Sequence, residues 1–307
     1  MKTDSKLEKF LVEGKFVVIG ECFPPEGADI NIIKKKSSFL KENVDVVNVP
    51  DNPGAIVRMS SISTASILTQ MGFETIVHMT TRDRNRIALQ SDILGAYSLG
   101  IKNILCISGE HQRLGNHPQS KNVFDIDSIQ LIQTVKEMRD NGKFLSQDDI
   151  KGIPKMFIGA TENPFADPFE FRVIRLLKKV KAGAEFIQTR SIYNINKFKK
   201  WIQEIVLREI DKKVYIIAGV TPLKSLEMIQ YMKDHVSGID IPDEIIERMK
   251  SVPKDKQQQE GIAICVETIK ELKELNGIHG IHIMTMGWEE SVPFIVKESN
   301  LLSNLRR

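Results

Sequence analysis

The chain has 307 residues, 41% of them hydrophobic, enough for one large core, and its 43 Lys and Arg against 40 Asp and Glu leave a net charge of only +3. So small a balance gives no reason to invoke nucleic acid or a membrane surface and points to small molecules or proteins as partners. Cys22, Cys106 and Cys265 lack CxxC spacing, and two of them sit in apolar runs, which argues against a metal site and for a reducing cytoplasm.

The N-terminal MKTDSKLEKFLVEGK is charged and amphipathic without the unbroken apolar stretch of a signal peptide, and no run of about 18 apolar residues follows it. Eight short runs rich in Val, Ile and Phe then recur: 16–20, 44–49, 75–79, 103–107, 156–160, 186–189, 214–218 and 280–284. They are apolar throughout rather than alternating, as parallel strands covered on both faces are. Helical periodicity fills the gaps at 30–42, 55–69, 86–99, 126–139, 169–182 and 197–210, each long enough for a crossover helix. Eight strand-helix units without a GxGxxG turn favour a closed (β/α)8 TIM barrel over an open doubly wound sheet. One domain over residues 1–307 is expected. Between the seventh and eighth strands extra helices are expected near 241–249 and 259–275, with an exposed loop at 252–259 and an insertion at 140–152.

Barrel chemistry gathers on the loops after the strands' C-terminal ends, and those ends are polar here. In order they read Glu21-Cys22-Phe23-Pro24-Pro25, Pro50-Asp51-Asn52-Pro53, HMTTRDRN from His78, Ser108-Gly109-Glu110-His111, Thr161-Glu162-Asn163-Pro164, Gln188-Thr189-Arg190, Gly219-Val220-Thr221-Pro222 and Met286-Gly287-Trp288. Glu21 follows an apolar strand and precedes Phe23-Pro24-Pro25, a setting that desolvates a carboxyl and raises its pKa toward that of a general acid. A Glu paired with a basic neighbour at the barrel mouth is the alternative.

The strings ECFPP, HMTTRDRN, SGE after the fourth strand and KKVKAGAEFIQT before the sixth resemble those of the methylenetetrahydrofolate reductase family. VDVVNVPDN, LQSDILGAYSLGI, GVTPLKS and GIHIMTMGWE are similar to its short form in acetogens and related anaerobes. The resemblance runs from about Phe16 to about Trp288. It implies a noncovalent flavin, FAD or less commonly FMN, that reduces 5,10-methylenetetrahydrofolate to the 5-methyl form by hydride transfer from N5. It makes Glu21 the general acid and Glu110, where many members carry Asp, the second acidic group near flavin and pterin. It places His78, Thr80, Ile107, Ser108, Gly109, Glu110 and Thr161 against the flavin, Lys178 and Lys179 near its phosphates, and Phe124, Asp125, Asn163 and Asp167 toward ribose and adenine. Glu21, Glu110, Arg190, Pro222 and Met286 fall at folate contacts.

Four positions depart from the family pattern: Pro50 for a frequent Thr, Ser108 for an Arg, Glu110 for Asp, and Arg190 for a Gln that touches folate and nicotinamide. Arg carries a permanent charge and five donors, suited to the folate's glutamate carboxylates or a phosphate, and this puts direct NAD(P)H use in doubt. A small zinc-binding partner subunit and an electron-supplying complex are implied by acetogen-type relatives, and a homo-oligomer is an open expectation. Two other readings stand beside the reductase: a flavin-free barrel that passes folate methyl groups to a corrinoid protein, and a flavoprotein subunit that only relays electrons or scaffolds a complex.

Overall fold

The structure is a computed structural model that describes residues 1–236 and 238–301, so residues 302–307 of the expected domain lie outside the described residues. Its eight strands are β1 (Val17–Glu21), β2 (Val46–Val49), β3 (Thr75–Thr80), β4 (Asn103–Ile107), β5 (Phe157–Glu162), β6 (Phe186–Ser191), β7 (Tyr215–Val220) and β8 (Gly280–Ile283). All pair in parallel with their sequence neighbours, and β1 pairs with β8 through Val17 and Gly280, closing the barrel. The chain is therefore the (β/α)8 barrel that the strand-helix rhythm predicts.

Strand alternation divides the apolar residues into two cores. Ile19, Val46, Ile76, Leu105, Phe157, Phe186 and Ile217 point inward and form one buried cluster. Their neighbours Val18, Val47, Val77, Ile104, Ile158, Ile187 and Ile216 point outward against the surrounding helices. The inner cluster is completed by Leu7, Phe10 and Leu11 of α1 (Lys6–Val12). The N-terminal segment is thus a plug for the barrel floor, and burying its three apolar side chains contributes on the order of 5 kcal/mol.

Crossover helices α2 (Ile30–Leu40), α3 (Ser61–Gln70), α4 (Arg86–Ser98), α5 (Ser128–Asp140), α6 (Phe171–Ala182) and α7 (Ile195–Leu207) follow the first six strands. Local chemistry sets their starts: the Asp127 carboxylate and Gln130 amide form a reciprocal capping box on α5, and Asn85 caps α4 through two backbone N–H groups. The helix expected from Ala55 begins only at Ser61, because Asn52, Gly54 and Ala55 all adopt positive φ and Ser60, with ψ 136°, is non-helical. The long β7–β8 connection holds α8 (Leu226–His235), α9 (Asp243–Lys250) and α10 (Gln257–Lys273), followed after β8 by α11 (Val292–Glu298). The expected loop at 252–259 is shorter than predicted: Gln257 starts α10 and is buried, its side-chain oxygen accepting from Leu226 N–H. The insertion at 140–152 folds back on itself through a bridge between Lys143 and Asp149. All three cysteines are free and buried, and among the described residues no helix is long and apolar enough to cross a membrane.

Candidate active site

Two residues beyond five of the eight inward positions, the strands turn polar at the barrel's C-terminal end. Ile19 leads to Glu21, Val46 to Asn48, Ile76 to His78, Phe186 to Gln188 and Gly280 to His282. The same parity that builds the core therefore aims these side chains into the lumen. A cavity of about 340 Å³ opens above them. It gathers nine of the residues expected from the sequence: Glu21, His78, Ile107, Ser108, Gly109, Glu110, Thr161, Lys179 and Arg190.

Glu21 is 6% exposed and its carboxyl is pushed up to about 8. Burial is the main cause, and the nearby Glu289 adds to it. The N–H of Met286, 3.3 Å from Glu21 Oε1, and the more distant Lys36 oppose the rise. Glu289 is itself buried, accepting from Phe23 N–H at 3.0 Å and forming an ion pair with Lys36 Nζ at 3.2 Å. Lys36, the basic neighbour near Glu21, is thus bound to another carboxylate, and Glu21 remains a carboxylic acid near neutrality.

His78 is pushed down to about 4 by burial, and its Nε2 has no hydrogen-bond partner among the described residues. The ring is neutral, with one polar atom left for a bound molecule. Gly109 has φ +85°, and a Cβ there would meet Thr80 and Arg82 at 3.1–3.2 Å, so the turn after β4 brings bare backbone to the cavity wall. Glu110 hangs from this turn, its carbonyl accepting from Arg82 at 3.1 Å. Its carboxylate lies 3.8 Å from Arg190 across the mouth, both side chains about two-fifths exposed. A register shift between β6 and β7 at Gln188/Ser191 carries Arg190 into this position.

The remaining expected residues lie outside the cavity lining. Thr80 is buried and bonded through N–H and Oγ1 to Asp51, which also holds Arg84 at 2.6 Å. Phe124 is exposed with φ +41°, and Asp125 is paired with Arg86. Asn163 donates to Gly238 carbonyl, Asp167 is exposed before Pro168, and Lys178 sits exposed over the Phe171 ring. Pro222 is buried, and Met286 contributes its backbone N–H to Glu21 while its side chain faces outward. Lys179 does line the cavity, but its Nζ is bonded to Glu162 and to Thr161 carbonyl, so its charge is already matched.

Sequence reading passed over Asn48, Asp51, Glu162, Arg175, Gln188, His282 and Glu289 as site residues. Strand parity would have singled out Asn48, Gln188 and His282, whereas Arg175 and Glu289 reach the region from a helix and a turn. A larger hollow of about 690 Å³ lies between α7, α9 and α10. Its charges are largely paired, Lys197 with Asp240 and Arg248 with Glu267.

The family model described as methylenetetrahydrofolate reductase matches residues 6–300. The chain belongs to the methylenetetrahydrofolate reductase family. It is 25% identical over 258 residues to the "Probable methylenetetrahydrofolate reductase (NADPH)" of Caenorhabditis elegans, covering 82% of this chain and 36% of that protein. With "Methylenetetrahydrofolate reductase 2" of Saccharomyces cerevisiae it shares 24% identity, over 98% of this chain and 50% of the relative. With the "5,10-methylenetetrahydrofolate reductase" of Buchnera aphidicola it shares 22%, over 82% of this chain and 81% of the relative. The chain thus spans half or less of these eukaryotic relatives' length. A solved structure described as an uncharacterized protein from Clostridium thermocellum that binds two copies of 5-methyl-5,6,7,8-tetrahydrofolic acid superposes with a TM-score of 0.62 at 14% identity, over 97% of this chain and 100% of that one. At that identity the likeness shows the shared barrel.

Proposed function

We propose that this member of the methylenetetrahydrofolate reductase family reduces 5,10-methylenetetrahydrofolate to 5-methyltetrahydrofolate with a bound flavin, and that Glu21 donates the proton the reaction requires. The observation that carries the reading is a carboxyl held in its acid form near neutrality at the end of the first strand of a folate-family barrel.

The residues present fit a flavin. His78 Nε2 is a buried polar atom without a partner, Leu105 and Ile107 give an apolar surface beside it, and the Gly109 turn allows close approach of backbone. Arg175, one turn before Lys179 on α6, lines the same cavity and is the cation best placed for a phosphate group. We take the cofactor to be FAD, with FMN distinguished by the mass of the released flavin. When bound, it would supply hydride from its reduced N5.

The chain's own groups supply the rest. Opening the five-membered ring of the substrate requires a proton on the departing nitrogen, and the Glu21 carboxyl holds that proton. Protonation breaks the C–N bond and leaves a cationic iminium, toward which the Glu110 carboxylate at the cavity mouth is favourable. Arg190 holds the anionic glutamate portion of folate, trading its contact with Glu110 for one with substrate.

The deciding experiment reduces the flavin-loaded protein with an artificial donor and adds methylenetetrahydrofolate without oxygen. Reoxidation of the flavin with formation of 5-methyltetrahydrofolate is expected. A flavin that stays reduced makes the chain an electron-relay or scaffold subunit, and a colourless protein that no flavin reconstitutes points to corrinoid-linked methyl transfer. Titration with NADH and NADPH alone then tells whether electrons enter directly or through a partner protein.

A further inference from the structure

Asn48 from β2 and Gln188 from β6 reach across the barrel lumen and bond to each other twice. Asn48 Nδ2 donates to Gln188 Oε1 at 2.7 Å, and Gln188 Nε2 donates to Asn48 Oδ1 at 3.1 Å. The second hydrogen of Asn48 Nδ2 faces His282 Nε2 at 2.9 Å. An amide nitrogen donates only, so Nε2 accepts and the ring proton of His282 sits on Nδ1. Turning either amide over by itself would set nitrogen against nitrogen and oxygen against oxygen, so each locks the other. Protonating the ring would press N–H against N–H at Asn48. All three side chains are buried, at 0%, 2% and 3% exposure for Asn48, Gln188 and His282, which leaves these bonds in command of the ring's state.

The same Nε2 lies 4.0 Å from Glu21 Oε2. An imidazole with a free lone pair at that distance, both side chains being buried, competes for the carboxyl proton, because the resulting carboxylate and imidazolium attract each other. Among the described residues no other imidazole lies within 4.0 Å of a Glu21 carboxyl oxygen. Glu289, from the turn before α11, is bonded to Phe23 N–H and Lys36; Lys36 of α2 is a cation; Met286 and Thr285 only donate; His78 of β3 faces His282 as a neutral ring. We propose that Asn48, locked by Gln188, is a positioning residue that occupies the Nε2 lone pair of His282 and so leaves the proton on Glu21. The inference rests on the reading of Glu21 as the proton donor.

The test uses the full chain with ¹⁵N-labelled histidine, in which two-bond nitrogen–proton correlations report the tautomer and His282→Gln assigns the signals. Infrared absorption of the protonated carboxyl, assigned with Glu21→Gln, reports Glu21. In the unsubstituted chain His282 should carry its proton on Nδ1 and none on Nε2 from about pH 5 to about pH 9. Asn48→Leu frees the lone pair, so Nε2 should gain a proton near neutrality while most of the Glu21 acid band disappears. Asn48→Asp keeps the size of the side chain and replaces the donor by an acceptor, so it too should draw a proton to Nε2, and it serves if the leucine variant does not fold. A proton on Nε2 in the unsubstituted chain overturns the proposal. So do Asn48 variants whose His282 and Glu21 signals are unchanged. None of these readings needs turnover, so a protein whose reduced flavin ignores folate sinks the proposed reaction without touching this measurement.

Discussion

Lys179 Nζ lies 2.7 Å from Glu162 Oε2, with the two side chains 6% and 1% exposed, so a lysine expected at a cofactor phosphate spends its charge on a carboxylate inside the barrel wall. Removing one member of such a pair strands the other without water. Lys179→Met should therefore cost about 3–5 kcal/mol in urea unfolding, while the double change with Glu162→Leu should recover most of it. If Lys179→Met folds with full stability and only flavin affinity falls, the pair is not structural and the lysine serves the cofactor directly.

Glu21→Gln keeps the shape of the proton donor and removes the proton. Flavin binding and reduction by an artificial donor should persist, and the folate half-reaction should slow by at least ~10²-fold. Stopped-flow absorbance of the flavin separates the two halves. Normal folate turnover in the variant would remove Glu21 from its assigned role.

The same substitution has a stability signature. In the folded chain the Glu21 carboxyl is held at about 8 against an ordinary 4.5. Between these values the folded state keeps a proton that the unfolded chain has released, so the contribution of Glu21 is fully present below about pH 4.5 and is lost as pH rises through 8. Glu21→Gln removes this slope and should exceed the unsubstituted protein in stability at about pH 9 by a few kcal/mol, with a smaller difference at about pH 6. Denaturation curves with the same pH dependence for both proteins would contradict the shift.

Arg190 and Glu110 approach to only 3.8 Å and are each about two-fifths exposed, so their ion pair holds little folding energy. Arg190→Gln should change stability by less than about 0.5 kcal/mol. Its effect should fall on substrate: KM for a folate with several glutamates is expected to rise roughly tenfold, which is about 1.4 kcal/mol, with less dependence on salt. An unchanged KM would place the folate tail elsewhere.

The bulge that presents Arg190 depends on Gly219. A Cβ at that position would meet Thr189 carbonyl oxygen at 2.3 Å and Met284 Cε at 2.6 Å, and the first of these is backbone that has nowhere to go. Gly219→Ala should cost about 1–3 kcal/mol and reproduce part of the Arg190→Gln defect in folate binding. Lost stability with unaltered KM would separate the bulge from the site.

The barrel was legible because its strands are short, mainly apolar runs and its crossovers periodic ones, patterns that depend on near neighbours in sequence. Glu21 was legible for the same reason: Val17 to Gly20 and Phe23-Pro24-Pro25 announce its desolvation before any tertiary contact is known. His78, Ser108 and Gly109 were expected at the site from the family resemblance, while the rule that barrel chemistry gathers at strand ends put their segments at the mouth. The helix expected from Ala55 was misplaced because positive φ at Asn52 and Ala55 has no strong signature outside glycine.

What the sequence by itself determined is the order of elements, the polar rim and the acid on the first strand, since propensity, periodicity and burial of a strand end are local properties. Which charges are free was decided by tertiary structure alone. Lys178 and Lys179 are adjacent and look alike in sequence, yet one is solvated over Phe171 and the other is buried against Glu162, 17 positions away. Asn48 and Gln188 are separated by 140 positions and meet only when the barrel closes, and Glu289 comes 266 positions after Phe23 to fix its backbone and turn Lys36 from Glu21. Hydrogen bonds and ion pairs act over a few ångströms of space, and closure of the eight strands sets those distances.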